Sequence, residues 1–465
     1  MRINPNIFRE YDIRGRVDQK DELTPEAIDA IGRGFATFLK RRGIHAAVVG
    51  HDARPYSKSV NDITVKALLE SGIDVIEIGT VLAPIFYFAQ YHLQKKGGVM
   101  ITASHNPWGW SGFKHAYDYS TTLVPNDMQE LQKIVEENEF IKGKGKYEVY
   151  KDIIEKYKED TLNRIRIARP LRVLIDTGNG TAGPIVPDIL RKAGCIVVEQ
   201  YTEVSEIRHH EANPSTLGML DAMSVGVKTH HADIGLGFDD DGDRLGAVDE
   251  KGQIIWPDQI LLLLARPIIA KNPGAKVVFD IKCTEALVED IKARGGIPIM
   301  WKTGHSYIKA KAKEEGAFLA GERSGHMYFL KEHYEFDDAI FAGLKLLEYI
   351  SNQQLKSFSE IIAELPHYIT SPVWHAPCDD TKKYQVTDKL TTKFKQEYGH
   401  EHVIDINGAR VYMEDGWGLV RASSNVPALV LVFEAKTKEG LKKIESIFRE
   451  KLTAFPEVGK DWVSG

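Results

Sequence analysis

The segment LRVLIDTGNGTAGPIVPDILRKAG, residues 171–194, starts as an apolar strand, turns through an aspartate and a glycine-rich loop, and continues as a helix. The same order recurs in HAAVVGHDARPYS, residues 45–57, where a helix-like run follows, and in AKVVFDIKCTEALVEDIKARGG, residues 275–296. Continuous apolar strands that alternate with helices are typical of parallel or mixed sheets covered on both faces. Because the copies are spaced along the chain, the sequence predicts three related α/β domains.

The C-terminal part of the chain has a different pattern. Two strands, GWGLVRAS and PALVLVFEA, are neighbours in sequence, and the amphipathic helix KEGLKKIESIFREKLTAF follows them. This order predicts an α+β domain. Segments with polar residues, glycine or proline at 136–148, 249–260 and 364–374 indicate the boundaries. We therefore expect the α/β domains at residues 1–148, 149–252 and 253–367, and the α+β domain at residues 368–465.

The composition is that of a globular protein. The 465 residues are 43% hydrophobic and 27% charged, a balance that allows sizeable buried cores. The formal net charge of −6 disfavours nucleic acid as a partner, because phosphate contacts usually require a basic protein.

The N-terminus lacks an apolar stretch of signal-peptide length, and no window approaches the roughly 20 apolar residues of a membrane span. Cys195, Cys283 and Cys378 form no CxxC pair and suit a reducing compartment, so we expect a cytoplasmic protein without a membrane partner.

An aspartate-rich loop carries the clearest chemistry. In ADIGLGFDDDGDRLGAVDEKGQII, residues 232–255, four aspartates fall within five residues between two apolar runs. Carboxylates this close repel one another unless a cation lies among them. The alternate residues Asp239, Asp241 and Asp243 converge on one ion if the loop curls at Gly242. Hard oxygen ligands of this kind select Mg²⁺ or Ca²⁺.

Two other interpretations of this loop remain open. An EF-hand would add Glu250 as its twelfth-position ligand, but Arg244 stands where that motif requires glycine, and a strand rather than a helix precedes the loop. The second alternative is a solvated acidic turn that holds no ion.

The segment ITASHNPWGWSGFK, residues 101–114, has a composition that suits neither a regular helix nor a strand. Its Ser104 is not part of a G-x-S-x-G nucleophile elbow, and the chain has no Walker A pattern. A serine hydroxyl beside a divalent cation can instead carry a phosphoryl group, for which His105 and Lys114 supply donors on the same loop. The alternative is an ordinary serine in a turn.

Two further segments have side chains suited to a phosphorylated sugar. GLVRASSNVPALVL, residues 418–431, places an arginine among hydroxyl and amide groups between two strands, and arginine offers a planar fork to phosphate oxygens. FLAGERSGHMYF, residues 318–329, places an acid and a hydroxyl two residues apart, so that both can face vicinal sugar hydroxyls. The alternatives are an ordinary hairpin turn and a surface loop. The candidates in these segments are Arg421, Ser423, Ser424, Asn425, Glu322, Ser324 and His326.

Taken in order, FREYDIRG (8–15), TASHNP, the aspartate-rich loop, GERSGH and RASSN resemble the motifs of the α-D-phosphohexomutase family, most closely its phosphomannomutase/phosphoglucomutase branch. The resemblance covers nearly the whole chain. It implies four domains around a central cleft and Ser104 as the phosphorylated residue. It also implies one Mg²⁺ held by Asp239, Asp241, Asp243 and an oxygen of phosphorylated Ser104. Further cleft residues that it implies are Tyr11, Arg14, Lys114, Arg244, Lys282, His305 and His326, of which Arg14 and Lys114 would lie near the transferring phosphoryl group.

The resemblance implies an activity as well. The enzyme would move a phosphoryl group reversibly between C1 and C6 of a mannose or glucose phosphate, through the phosphoserine and a hexose 1,6-bisphosphate. Lys114 and His326 are the candidates for proton transfer. Glu322 and Ser324 would hold sugar hydroxyls, and the segment around Arg421 would hold the non-reacting phosphate. The alternatives are a phosphoglucosamine mutase, a metal-dependent sugar phosphatase and a non-catalytic sugar-phosphate sensor, and we expect a monomer or a weak homo-oligomer.

The chain departs from the family's pattern at a few positions. Asp240 replaces the first glycine of the usual D-G-D-G-D, so its carboxylate points either to solvent or inward, where it would change metal affinity. Trp110 and Ser111 replace a Tyr-Asn pair before Gly-Phe-Lys. In the last motif, Ser424 and Asn425 stand where Asn-Thr is frequent.

Overall fold

The computed structural model describes residues 3–353, 356–424 and 426–464 of the chain. Its strands form four sheets, each of which is the centre of one domain. The elements of the first domain are β1 (Ile13–Arg16), α1 (Pro25–Arg41), β2 (Ala46–His51), α2 (Ser57–Glu70), β3 (Asp74–Thr80), α3 (Ala83–His92), β4 (Gly97–Ile101), β5 (Trp110–Tyr117), β6 (Thr121–Thr122), α4 (Pro125–Glu137) and β7 (Tyr147–Val149).

The second and third domains have the same kind of mixed sheet. The second contains α5 (Ile153–Asn163), β8 (Arg172–Asp176), α6 (Val186–Lys192), β9 (Ile196–Gln200), α7 (Leu217–His230), β10 (Ile234–Phe238), β11 (Leu245–Asp249) and β12 (Ile254–Ile255). The third contains α8 (Pro257–Lys271), β13 (Lys276–Asp280), α9 (Glu285–Ala293), β14 (Ile297–Trp301), α10 (His305–Glu315), β15 (Leu319–Gly321), β16 (Met327–Tyr328), α11 (Ala339–Ser351) and α12 (Phe358–Ile362).

The fourth domain is an antiparallel sheet with two long helices. Its elements are β17 (Ile369–Thr370), β18 (Trp374–Pro377), α13 (Lys383–Tyr398), β19 (Val403–Ile404), β20 (Ala409–Met413), β21 (Gly416–Ala422), β22 (Ala428–Ala435), α14 (Lys438–Leu452) and β23 (Val463–Ser464). Helix α14 begins where the sequence provides a cap, because the Thr437 hydroxyl accepts a hydrogen bond from the Gly440 amide.

The first three sheets repeat one strand order. Three parallel strands lie side by side as β3-β2-β4, β9-β8-β10 and β14-β13-β15, and in each sheet the third of these pairs with an antiparallel strand, β5, β11 or β16. The prediction of three related α/β domains followed by an α+β domain is therefore confirmed. The domain boundaries given above stay a prediction.

The repeat explains why the predicted site loops meet. In each α/β domain, the loop that joins the third parallel strand to its antiparallel neighbour leaves the carboxyl end of that parallel strand, where open α/β sheets bind ligands. The loop from β4 to β5 carries Ser104, the loop from β10 to β11 carries the aspartates, and the loop from β15 to β16 carries Glu322 and Ser324. The three loops differ in sequence, but each lies at the equivalent position of its own domain.

Several clusters of buried hydrophobic residues form the core. One cluster of buried residues runs through all three α/β domains and includes Phe86 of α3, Tyr157 of α5, Leu263 of α8 and Leu347 of α11. The fourth domain has a separate cluster around Phe433. Trp417, Leu419 and Val432 of its strands belong to another cluster, in which they pack with Ile281 of the third domain.

Several polar contacts connect the fourth domain to the others. The buried Arg410 guanidinium donates to the carbonyl oxygens of Ile281 and Cys283, at 2.8 and 2.7 Å, in the third domain. The Tyr384 hydroxyl donates to the Glu10 carboxylate of the first domain at 2.8 Å. The fourth domain is therefore attached to the third and also reaches the first.

Candidate active site

A cleft with a volume of about 530 Å³ lies among the four domains, which all contribute to its lining. Asn425 lies outside the described residues. The cleft is lined by the other predicted catalytic and substrate-binding residues, namely Tyr11, Arg14, Ser104, His105, Lys114, Arg244, Lys282, His305, Glu322, Ser324, His326, Arg421, Ser423 and Ser424.

Ser104 has a backbone conformation that local sequence does not favour. Its φ of 50° lies in the left-handed region, which costs a non-glycine residue of order 1–3 kcal/mol and persists only where surrounding contacts hold it. Its amide donates to the Thr102 hydroxyl at 2.9 Å. Its own hydroxyl donates to Asp239 Oδ2 at 3.1 Å and lies 3.2 Å from His105 Nδ1. The strained turn thus aims the serine oxygen at the aspartate-rich loop.

The aspartate-rich loop closes on itself. Asp239 Oδ1 accepts hydrogen bonds from the amides of Asp243 and Arg244, at 3.0 and 3.1 Å, and Gly242 has the positive φ of 72° that the turn requires. Oxygen atoms of Asp239, Asp241 and Asp243 all lie within 4.8 Å of one another. The loop therefore gathers three carboxylates into one small volume.

This donor set fits a divalent cation. The Oδ1 atoms of Asp241 and Asp243 are buried and have no hydrogen-bond partner among the described atoms. Buried carboxylate oxygens without partners are costly, and oxygen-only sites of this kind suit Mg²⁺ or Ca²⁺.

Neither alternative interpretation of the loop fits the structure. Glu250, the twelfth-position ligand of an EF-hand, instead accepts hydrogen bonds from the amide and hydroxyl of Ser359 at 3.0 and 2.5 Å, beside α12. The loop is flanked by the strands β10 and β11 rather than by helices. A solvated turn does not fit either, because Asp239, Asp241 and Asp243 are at most 1% exposed.

Lys114 balances part of this negative charge. Its ammonium group donates to Asp241 Oδ2 at 2.7 Å and also to Asp243 Oδ2. Burial alone would lower the pKa of Lys114, but the two carboxylates outweigh it and hold the pKa well above its ordinary value. Burial, with Asp243 and Asp241 nearby, raises the pKa of Asp239 well above its ordinary value. The ammonium therefore pairs with two of the three carboxylates.

His326 is oriented from both sides of its ring. Arg244 Nε donates to His326 Nε2 at 3.1 Å, and His326 Nδ1 lies 2.9 Å from Asp337 Oδ2. Because Nε2 accepts a hydrogen bond, the proton of the neutral ring belongs on Nδ1, which lies close to Asp337 but has no hydrogen-bond partner among the described atoms. Arg14 lies on the serine side of the cleft and donates to the Asn106 amide oxygen at 2.6 Å.

The third-domain side of the cleft offers polar atoms without protein partners. Glu322 Oε1 accepts a hydrogen bond from the Gly304 amide at 2.7 Å, while its buried Oε2 and both ring nitrogens of His305 have no partner within the described part of the chain. Burial raises the pKa of Glu322 and lowers the pKa of His305 well below its ordinary value. The Tyr11 ring packs edge-on against His305, with centroids 4.8 Å apart. Such a wall suits a ligand rich in hydroxyl groups.

The fourth domain contributes a cationic turn. Arg421 is the last but one residue of β21, and its Nη2 donates to the Ser424 hydroxyl at 3.1 Å. Ser423 Oγ accepts a hydrogen bond from the Val426 amide at 3.3 Å. Lys282 of the third domain lines the same cleft and lies 3.3 Å from Asp280. These groups can receive an anionic substituent of a ligand.

Asp240 adopts neither of the two orientations expected from the sequence, in which its carboxylate would face solvent or would point inward and change metal affinity. Its carboxylate is 1% exposed, so it does not face solvent. It also does not join the other three aspartates, because it pairs with Arg54 and Arg208 at 2.8 and 2.6 Å. Burial alone would raise the pKa of Asp240, but these two guanidinium groups outweigh it and hold the pKa below its ordinary value.

Some cleft residues were missed by the sequence reasoning. The segment RHHEANPST, residues 208–216, contributes Glu211, Asn213, Ser215 and Thr216 to the lining. The many polar residues and the proline that precede α7 were the only sequence features that could have indicated a cleft-lining loop here. The buried Thr102, whose hydroxyl donates to Asp241 at 3.0 Å, carries no sequence signal beyond its place two residues before Ser104.

Comparison with known proteins agrees with this geometry. Four family models match in order: phosphoglucomutase/phosphomannomutase alpha/beta/alpha domains I, II and III at residues 5–142, 149–252 and 256–368, and the C-terminal domain at residues 376–451. The phosphomannomutase/phosphoglucomutase of Pseudomonas aeruginosa is 39% identical over 450 residues, which cover 97% of this chain and 96% of that protein. The phosphoglucomutase of Neisseria gonorrhoeae is 38% identical over 459 residues and 98% of each chain.

A solved structure leads to the same conclusion. A phosphoglucomutase/phosphomannomutase family protein from Burkholderia thailandensis superposes with a TM-score of 0.90 at 35% identity, and the match covers 98% of this chain and 99% of that one. The chain therefore belongs to the phosphoglucomutase/phosphomannomutase family, and it is an enzyme, a mutase. Its acidic cluster and its family fit a metal-dependent mutase. Over the described ranges, the helices include none with the length and apolarity needed to cross a bilayer.

Proposed function

We propose that this enzyme interconverts the 1-phosphate and 6-phosphate of mannose, glucose or both, with Ser104 as the transient carrier of the phosphoryl group. The observation that carries the proposal is the position of Ser104 Oγ, 3.1 Å from Asp239 Oδ2 in a cleft that all four domains line. C1 and C6 of a hexose are too far apart for direct transfer, so a carrier on the protein is needed.

The serine carries the group in two balanced steps. In the first, the bond from phosphorus to Ser104 Oγ breaks, and a bond to the free sugar hydroxyl forms. The hydroxyl gives its proton to a base, and the serine oxygen receives one from an acid. The product is a hexose 1,6-bisphosphate. After this intermediate turns around, the reverse step returns its other phosphate to Ser104 and leaves the isomeric sugar phosphate.

Several residues of the chain have proposed roles in these steps. Asp239, Asp241 and Asp243, with an oxygen of the phosphoserine, would hold one Mg²⁺. Bound there, the ion would offset charge on the transferring phosphoryl group. Lys114 and His326 are our candidates for the acid and the base, because both line the cleft and contact the aspartate-rich loop.

The substrate would be held from two sides. Glu322 and Ser324 would bind sugar hydroxyls, since Glu322 presents a buried oxygen without a described partner. Arg421, with the serines beside it, would bind the phosphate that does not react. Tyr11, Lys282 and His305 complete the wall between these two sides. Arg14, Arg244 and His105 surround the reacting end, near Ser104.

The setting of the enzyme is also proposed. The three cysteines are buried and form no disulfide in the described structure, which suits a reducing compartment such as the cytoplasm. A monomer or weak homo-oligomer is compatible with a cleft built from the four domains of one chain.

Initial rates test this function. The purified enzyme, activated with a trace of hexose 1,6-bisphosphate, is assayed on glucose 1-phosphate and on mannose 1-phosphate for the 6-phosphate and for inorganic phosphate. We expect 6-phosphate from at least one of the two sugars, with little inorganic phosphate released. Release of inorganic phosphate at the rate of substrate loss would instead identify a sugar phosphatase.

A further inference from the structure

We propose that Asp240 is a positioning residue for the reaction, which holds Arg54, and through Arg54 the serine loop, in register with the aspartate-rich loop. The inference rests on the proposed function of Ser104 and adds to it a part for a residue outside the predicted metal ligands and substrate contacts. It is carried by hydrogen bonds that link Asp240 of the second domain, through Arg54, to the backbone of Ser104 and of the residues that follow it in the first domain.

The Asp240 carboxylate is fully engaged by donors. Its Oδ2 accepts from Nη2 of Arg54 at 2.8 Å and from Nη2 of Arg208 at 2.6 Å. Its Oδ1 accepts from the amide and the hydroxyl of Thr181, at 2.9 and 3.1 Å. Four donors satisfy this carboxylate within the protein, so it is used for a contact between domains rather than for an ion.

Arg54 carries the contact to the serine loop. The same Nη2 also donates to the carbonyl oxygens of Ser104 and Asn106, at 2.7 and 2.8 Å, while Nη1 donates to the carbonyl oxygen of Trp110 at 3.2 Å. One guanidinium group therefore holds three backbone carbonyls of the loop that carries the reacting serine. Its side chain is 1% exposed, so water does not compete for these donors.

The arrangement explains how an unfavourable turn is maintained. Ser104 has a φ of 50°, a conformation that persists only where its surroundings hold it. The carbonyl of Ser104 is held by Arg54, and Arg54 is held by the charge of Asp240. Because Asp239 and Asp241 flank Asp240 in sequence, the same anchor fixes the aspartate-rich loop. The serine oxygen and the carboxylates are thereby set relative to each other across a domain boundary.

A second arginine strengthens the anchor. Arg208, from the segment between β9 and α7, pairs with Asp240 and also lies over the Trp108 ring, with its Cζ 5.7 Å from the centroid. Trp108 belongs to the serine loop. The loop is thus held to Asp240 at its backbone by Arg54 and at a side chain by Arg208.

The test compares Asp240→Asn with a matched control, Asp290→Asn. Asp290 is also a buried carboxylate that pairs with two arginines, Arg266 and Arg294 at 2.7 and 2.9 Å, but it lies on α9, and neither arginine lines the cleft. Both variants lose the same kind of ion pair. Measurements are made on the full chain at a temperature where thermal unfolding curves show both variants to be folded.

We expect Asp240→Asn to lower kcat by about 10- to 100-fold, because small displacements of reacting groups have effects of this size. KM for the sugar phosphate should change less than threefold, since the proposed sugar and phosphate contacts lie on other loops. Asp290→Asn should keep kcat within twofold of the wild type. A wild-type kcat in Asp240→Asn, or an equal loss of kcat in both variants, would overturn the proposal.

A second variant covers the case in which Asp240→Asn does not fold. Arg54→Lys keeps the charge that pairs with Asp240 but cannot reach three carbonyls at once. It should show the same selective loss of kcat, and unchanged kcat would again count against the proposal. Failure of this inference is distinguishable from failure of the proposed function. Full turnover in Ser104→Ala would contradict both. An inactive Ser104→Ala, together with wild-type kcat in Asp240→Asn and in Arg54→Lys, would contradict the positioning role alone.

Discussion

Ser104 Oγ lies 3.1 Å from Asp239 Oδ2, although 135 residues separate the two in the sequence. The contact forms because the loops that carry them follow equivalent strands, β4 and β10, in two copies of one α/β repeat. In the proposed function, a hydroxyl that contacts one of three clustered carboxylates would share a cation with them once it carries a phosphoryl group. The proposed reacting centre thus combines loops of two domains, and neither domain contains it alone.

Divalent cations should bind at the clustered aspartates. In calorimetric titrations of the unphosphorylated enzyme with Mg²⁺, Asp241→Asn should weaken binding at least tenfold, because it removes a charged ligand. Glu250→Gln is the control, since Glu250 bonds to Ser359 instead. Its affinity for Mg²⁺ should match that of the wild type. Normal binding by Asp241→Asn, or lost binding by Glu250→Gln, would place the ion elsewhere.

Lys114 should stabilise the metal-free enzyme. Lys114→Met leaves Asp241 and Asp243 without their cation, and breaking a buried pair costs about 3–5 kcal/mol. Denaturant unfolding with a chelator should show this loss, and Mg²⁺ should restore part of it by entering among the carboxylates. Because Lys114 is a proposed proton-transfer residue, Mg²⁺ should not restore the mutase activity of Lys114→Met.

Lys158→Met is the control for that experiment. Lys158 also pairs with two acids, Glu155 and Asp188, but these are 59% and 43% exposed, so the loss should be near 0–1 kcal/mol. Mg²⁺ should not change the free energy of unfolding of Lys158→Met relative to the wild type. An equal response of both variants to Mg²⁺ would contradict the assignment of the site.

The sequence predicted what depends on local pattern. Apolar strands followed by glycine-rich turns and helices indicated the three repeats, and the motifs around Ser104 and Asp239 indicated the two loops that meet in the structure. The partners of Asp240 were not predictable in this way. Arg54 lies 186 residues away and reaches this carboxylate only through the packing of two domains, and Arg208 lies 32 residues away on a segment of the same domain between β9 and α7. The lining by residues 208–216 depends on the same packing.

Arg421 should contribute to binding more than to chemistry. Arg421→Lys removes the planar fork that suits a phosphate, and KM for the sugar phosphate should rise at least tenfold with a smaller change in kcat. Arg449→Lys, in the same domain, is the control: Arg449 stacks on Trp462, with its Cζ 3.7 Å from the centroid, and does not line the cleft. Steady-state measurements of kcat and KM for both variants test this prediction. A normal KM in Arg421→Lys would remove the residue from the phosphate site.

His115 should make the enzyme sensitive to acid. It is buried on β5 against Phe35 and Phe113, with no hydrogen-bond partner for either ring nitrogen in the residues described, and burial lowers its pKa to about 3. The unfolded chain takes up this proton near pH 6.5 while the folded one does not. Stability is therefore complete above pH 6.5 and falls by about 1.4 kcal/mol per pH unit between pH 6.5 and 3.

The variant His115→Leu isolates this effect. Its free energy of unfolding, measured by denaturant titration from pH 7 down to pH 4, should decline less steeply than that of the wild type. The difference between the two slopes should approach the value for one proton. Parallel slopes would show that His115 is already protonated in the folded enzyme or is not buried in solution.

The central claim is that Ser104 stores the phosphoryl group during turnover. The most direct measurement is mass spectrometry of the enzyme after incubation with glucose 1,6-bisphosphate, with the modified peptide sequenced and mutase turnover recorded in parallel. We expect an added mass of about 80 Da, that of one phosphoryl group, on Ser104, and neither this mass nor turnover in Ser104→Ala. A phosphoryl group found on another residue, or undiminished turnover in Ser104→Ala, would contradict the account.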